Sequence, residues 1–158
     1  MVREEFLVIS RKSVEHLRAA IFIRDLKAES DHEAIRKMLD SLGGSPQVKD
    51  LESLSAAVFE RQETEPPLFP GGIAFPHART DSVSAVVMVF ATCKEAILFG
   101  TTRVRLIFLI GVPKHAGAEY LEIISFLARH VRGERAVDRL MEATDLSSFL
   151  AAFAEPNG

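Results

Sequence analysis

Ala85-Val86-Val87-Met88-Val89-Phe90-Ala91 and Leu106-Ile107-Phe108-Leu109-Ile110 are unbroken apolar runs, rich in β-branched and aromatic side chains. A strand with one wet face alternates apolar with polar residues, so runs without alternation mark central strands covered on both faces. Working outward, residues 73–75, 83–91, 97–99 and 104–112 share the Val, Ile and Phe enrichment and are separated by turn residues, which reads as a set of strands. The segments on either side carry a helical period. Helices, then strands, then helices around a doubly covered sheet predict an α/β fold, with a mixed β-sheet of about five strands flanked by helices on both faces.

Residues 13–20 pattern a short helix ahead of the strand-like Ile21-Phe22-Ile23. Ser30-Asp31-His32-Glu33 has the form of a capping box, followed by an apolar stripe of Ala34, Ile35, Met38, Leu39 and Leu42 and a terminating Gly43. Asp50 caps a second helix that turns Leu51, Leu54 and Val58 inward and reaches Arg61. From Ala118 the period places Tyr120, Leu121, Ile124, Leu127, Ala128 and Val131 on one side and Glu119, Glu122, Ser125, Arg129 and Arg132 on the other. Residues 134–143 and 146–153 read as two shorter helices, the last capped by Asp145. The Pro- and Gly-rich stretches at 42–46 and 65–72 read as loops inside one domain spanning residues 1–158.

A chain of 158 residues, 47% hydrophobic and 26% charged, suffices for one core. The formal charge of −3 argues against nucleic-acid binding, which rests on a basic surplus near phosphates. With no Trp and one Tyr beside eleven Phe, few polar-tipped aromatics exist to stack on sugars or bases. One cysteine cannot form an internal disulfide, and the start Met1-Val2-Arg3-Glu4-Glu5 is acidic where a signal peptide is basic. No apolar run approaches the roughly 20 residues a membrane helix needs. These features predict a soluble cytoplasmic protein without membrane insertion.

The unusual chemistry lies in Gly71-Gly72-Ile73-Ala74-Phe75-Pro76-His77-Ala78-Arg79. Two glycines permit backbone conformations closed to other residues, and Pro76 fixes its own φ while holding Phe75 extended, so His77 is presented on a stiff mount. Taken from these residues alone, His77 serves equally well as a turn residue whose ring satisfies a backbone carbonyl.

This segment resembles the EIIA domains of the mannitol/fructose type of the bacterial phosphoenolpyruvate:sugar phosphotransferase system, including the nitrogen-regulatory branch. That family carries Arg-Glu, a Gly-containing loop and then Gly-Ile-Ala-Ile-Pro-His; here Arg61-Gln62-Glu63 precedes the Pro/Gly loop and Gly72-Ile73-Ala74-Phe75-Pro76-His77, with 16 positions from Arg61 to His77. The likeness continues through Phe108-Leu109-Ile110-Gly111-Val112-Pro113 and Tyr120-Leu121-Glu122-Ile123-Ile124-Ser125-Phe126-Leu127-Ala128, so it spans residues 25–153.

The resemblance implies a phosphocarrier in which His77, through Nε2, accepts a phosphoryl group from phospho-HPr or a nitrogen-branch analogue and passes it to an EIIB-like acceptor. Neutral imidazole suits this because it is a nucleophile near pH 7 without a separate base. Arg61 is the expected donor to the phosphoryl oxygens, since its planar fork fits them. Gly72, Arg79, His115 and Tyr120 are the further candidates for holding phosphate or partner. No cofactor and no metal are implied: His16, His32, His77, His115 and His130 have no metal-ligand spacing, and Cys93 reads as a structural thiol.

Two departures matter. Tyr120-Leu121 stands where the family usually has His-Leu, so a neutral hydroxyl replaces a group able to carry charge, with His115 as a conceivable substitute nearby. The loop Pro67-Leu68-Phe69-Pro70-Gly71-Gly72 replaces the family's Thr-Gly-Ile-Gly-Asn-Gly. The alternative function is a regulatory binding module that keeps the fold, docks on a transporter or enzyme, and is phosphorylated slowly or not at all.

Overall fold

The computed structural model describes residues 9–64 and 66–153. The chain runs α1 (Arg11–Arg18), β1 (Ile21–Ile23), α2 (Asp31–Asp40), α3 (Leu51–Thr64), β2 (Leu68–Phe69), β3 (Ile73–Ala74), β4 (His77–Arg79), β5 (Val87–Phe99), β6 (Thr102–Val112), α4 (Gly117–His130), α5 (Glu134–Met141) and α6 (Leu146–Phe153). No helix among the described residues is long and apolar enough to cross a membrane.

The two apolar runs become the antiparallel pair β5 and β6 at the centre of a mixed six-stranded sheet ordered β1-β5-β6-β3-β2, with β4 also against β6. Successive side chains on a strand point to opposite faces, and the core divides accordingly. Met88, Phe90, Leu106, Phe108 and Ile110 pack with α1, α4, α5 and α6. Val87, Val89, Ala91, Ile107 and Leu109 pack with α2 and α3. Each central residue is thus fully covered, and truncating one such Phe or Ile to Ala costs about 2–5 kcal/mol.

The strand expectations need adjusting at four places. Residues 83–86 stay out of the sheet because Ser82 and Ser84 are tied to the 45–50 loop: the Lys49 amide donates to the Ser82 carbonyl at 2.8 Å and the Ser84 amide to the Gln47 carbonyl at 2.8 Å. Residues 97–99 belong to the same strand as residues 87–92, across a register irregularity between Thr92 and Ile97. Leu68–Phe69 is an additional strand, antiparallel to β3. His77–Arg79 is another, parallel to β6. β3 and β4 lie in turn along one edge of β6, with Ile73 opposite Leu106 and His77 opposite Ile110. Phe75-Pro76 interrupts that line, as a residue lacking N–H must.

The helix caps follow the sequence closely. Ser30 Oγ accepts from the Glu33 amide at 3.1 Å, although the Glu33 carboxylate turns to the Glu29 amide and Lys37 instead of closing the box. Asp50 accepts from the Ser53 amide at 3.1 Å and Asp145 from the Ser148 amide at 2.8 Å. The inward face of α4 is rotated from the expected one: Ile123, Phe126 and Leu127 are buried, while Leu121 is 65% exposed. The cause lies on α1, whose Lys12 and His16 hold Glu119 at 3.1 and 2.8 Å, while the Ser10 amide donates to Glu122.

Candidate functional site

His77 opens β4, immediately after the break at Pro76, and its placement follows from that break. The Ile110 amide donates to the Pro76 carbonyl at 3.0 Å and the Phe75 amide to the Pro67 carbonyl at 3.0 Å, so the backbone on each side of the jog is fixed. Nδ1 of His77 lies 3.0 Å from the Phe75 carbonyl oxygen. A carbonyl can only accept, so Nδ1 carries the proton and Nε2 keeps its lone pair.

The ring is also held from both sides. It stacks on Phe75 at 4.6 Å and 8°, and Tyr120 of α4 lies beyond its other face at 5.6 Å and 28°. Phe75 stacks in turn on Phe69 at 4.6 Å and 10°. Phe69, Phe75, His77 and Tyr120 therefore form one column of rings.

His77 faces an open cleft of about 450 Å³ lined by Ala57, Glu60, Arg61, Thr64, Ala78, Arg79 and Tyr120 as well. Arg61 stands exposed on the last turn of α3, where a cation also suits the helix C-terminus. Arg79 extends from the end of β4 and donates from Nη2 to the Lys114 carbonyl at 2.9 Å. Burial lowers the His77 pKa from its ordinary value, the Phe75 carbonyl works against that, and the Arg61 charge adds to the lowering. His77 is thus neutral at pH 7. Burial raises the Tyr120 pKa, with Arg61 and Arg79 opposing, which leaves the phenol an O–H donor.

Of the six residues singled out from sequence, the structure brings Arg61, His77, Arg79 and Tyr120 together around the cleft. Gly72 and His115 lie outside its lining. Gly72 serves the backbone instead. At its φ of +80°, an added Cβ would sit 2.6 Å from the Arg103 carbonyl oxygen, and its own carbonyl accepts from the Arg105 amide at 2.9 Å. Glycine permits both the positive φ and the close approach of β3 to β6. His115 is exposed in the loop before α4.

Sequence reasoning missed Ala57, Glu60 and Thr64, although they stand four and one positions before Arg61 and three after it, on one face of α3. It also missed the stacking of Phe75, which the two-residue period of extended chain places on the same side as His77. Cys93 is buried, and desolvation together with the nearby Asp25 charge pushes its thiol up to about 12, so it is unreactive near neutral pH. No group of three or more His, Cys, Asp or Glu among the described residues could hold a metal ion.

Residues 15–155 match the family described as phosphoenolpyruvate-dependent sugar phosphotransferase system, EIIA 2. The chain belongs to that family. It is 32% identical over 125 residues to the fructose-specific EIIA component of the phosphotransferase system of Haloferax volcanii, covering 77% of this chain and 81% of that one. Two solved structures share the fold. Nitrogen regulatory protein IIA-Ntr from Neisseria meningitidis superposes with a TM-score of 0.75 at 22% identity, over 84% of this chain and 92% of the other. Enzyme IIA mannitol from Escherichia coli, solved in complex with phosphorylated enzyme IIB mannitol, gives 0.72 at 22% identity, over 86% and 95%. The EIIA relationship carries a phosphocarrier role in the phosphotransferase system.

Proposed function

We propose that Nε2 of His77 receives a phosphoryl group from the phosphohistidine of a small donor protein of the HPr kind and hands it to an EIIB-like acceptor. The single observation that carries this reading is the 3.0 Å contact of Nδ1 with the Phe75 carbonyl, which leaves the other nitrogen nucleophilic beside two arginines. In the transfer, the Nε2 lone pair attacks phosphorus as the P–N bond to the donor breaks. The donor ring, protonated on its second nitrogen beforehand, leaves with the bond pair as neutral imidazole. His77 becomes the phosphorylated imidazolium, its Nδ1 proton still donated to Phe75, so no net proton moves.

Little covalent help is required from the protein in such a transfer; positioning and donors around the equatorial oxygens dominate. Arg61 fits the part of main donor, Tyr120 that of a neutral O–H donor, and Arg79 that of a second cation on the rim. The acceptor assignment draws on the mannitol relative solved with phosphorylated enzyme IIB.

Incubation with phosphoenolpyruvate, Enzyme I and HPr tests the reading. Acid-labile phosphate on the wild type and none on His77→Ala is the expected result. A regulatory docking module is the second reading, favoured by Tyr120 in place of a chargeable group. No label on folded wild-type protein with HPr or its nitrogen-branch analogue would establish that one instead.

A further inference from the structure

A second and larger cavity, of about 530 Å³, opens at the other end of the ring column. Phe69, Pro70, Gly71, Ala128, Val131 and Val137 supply most of its wall, and Arg105 and Arg132 stand in its lining. Its size falls within the range of small-molecule sites, and so does its composition, apolar walls with a few placed polar groups. The two guanidinium groups are in different states. Arg105 Nη2 lies 3.3 Å from an Asp138 carboxylate oxygen and is partly neutralised. Arg132 is exposed and, among the described residues, has no hydrogen-bond or ion-pair partner. Gly133, which also lines the cavity, is the N-cap of the adjoining helix α5.

We propose that this cavity binds a small amphipathic carboxylate, its apolar body against Phe69, Pro70, Val131 and Val137 and its head group on Arg132, with Arg105 as a second, shared donor. Charge complementarity selects the anion, because a carboxylate meets there a planar fork that no described residue engages. Phe69 is common to this cavity and to the Phe69–Phe75–His77 stack. Occupancy therefore presses on the mount of His77. Binding itself is independent of the phosphocarrier reading; the regulatory consequence rests on it.

The test uses the unphosphorylated protein, with octanoate as probe and 1-octanol as its neutral counterpart, followed by calorimetry and by NMR. Octanoate is expected to bind saturably with a Kd of about 1 mM or tighter, at least tenfold more tightly than octanol. Arg132→Gln should weaken octanoate at least fivefold and leave octanol unchanged. Ala128→Phe, filling the cavity from the partly exposed face of α4, should abolish both. The His77 Cε1–H resonance should move on saturation with octanoate. Absence of saturable binding, or equal binding of acid and alcohol, overturns the site as drawn. Binding that leaves the His77 resonance unmoved overturns the link along the rings, since spatial continuity alone does not demonstrate coupling. Phosphoryl transfer is not assayed, so a failed relay would leave these binding results as expected, whereas a failed cavity would abolish them.

Discussion

His77 and His130 are mounted in nearly the same way. Each has Nδ1 against a backbone carbonyl, that of Phe75 at 3.0 Å and that of Phe126 at 2.8 Å. Each also packs against the aromatic ring of that same residue, at 4.6 and 4.3 Å between centroids. What differs is the surroundings. His77 begins a strand and opens onto a cleft with Arg61, Arg79 and Tyr120, whereas His130 ends α4 on a carbonyl four residues back along its own helix. On the proposed reading, the fixed tautomer that both rings share does not by itself mark the nucleophile; what sets His77 apart is a cleft that Arg61 and Arg79 also line.

The pair of variants His77→Ala and His130→Ala puts the largest effect on that contrast. Loss of the nucleophile should reduce acid-labile phosphate by roughly 10³-fold or more, and the His130 variant should stay within about twofold of wild type. Label persisting on His77→Ala, or vanishing with His130→Ala in a folded protein, would erase the distinction between the two rings.

Next comes the cation. Arg61→Ala should slow transfer by about 10²-fold, the usual loss for one preorganised donor to a charged transition state. The melting temperature should barely change, since the side chain is exposed. Arg61→Lys keeps the charge without the fork and should recover part of the rate in stopped-flow or quench-flow measurements. A smaller loss is expected from Tyr120→Phe, which preserves the ring stacked over His77 but deletes the O–H. One net hydrogen bond is worth about 1 kcal/mol, or roughly fivefold in rate. An unchanged rate would reduce Tyr120 to a packing residue.

How much of this was legible beforehand depends on the length scale of the signal. The doubly covered strands β5 and β6 declared themselves because residues 85–91 and 106–110 lack any polar interruption, and the helix caps at Ser30, Asp50 and Asp145 are local chemistry. β2 and β4 were missed because two or three residues carry no period; they are strands only because β3 and β6 lie beside them. The rotated face of α4 was likewise hidden, for there Glu119 and Glu122 meet residues of α1 and its cap Ser10 more than 100 positions earlier. At the cleft, the Pro-His motif pointed to His77, the family likeness to Arg61 and Tyr120, and Arg79 was marked by its place just after Pro76-His77-Ala78. Gly72 was a candidate for holding phosphate or partner, and its observed close approach is to the Arg103 carbonyl. Only the three-dimensional neighbour distinguishes these two uses of the same residue.

The smallest effect concerns protonation, and it tests whether Arg61 and His77 share one electrostatic site. The folded His77 pKa lies below the ordinary 6.5, through burial first and the Arg61 charge last, with the Phe75 carbonyl pulling the other way. In the window from 6.5 down to the folded value, the unfolded chain binds more protons than the folded one, so this group makes stability fall as pH falls and contributes no slope above it. Only the neutral ring attacks, so the transfer rate should be flat from pH 7 upward and drop on an acid limb below 6.5. Arg61→Gln removes the positive neighbour and should shift both the NMR titration midpoint of His77 and the acid limb to higher pH. Because burial, the larger cause, survives the substitution, the midpoint should still lie below that of a solvent-exposed histidine. A midpoint that stayed put or moved lower would place the guanidinium away from the ring, and the comparison with His130 would lose the feature that sets His77 apart.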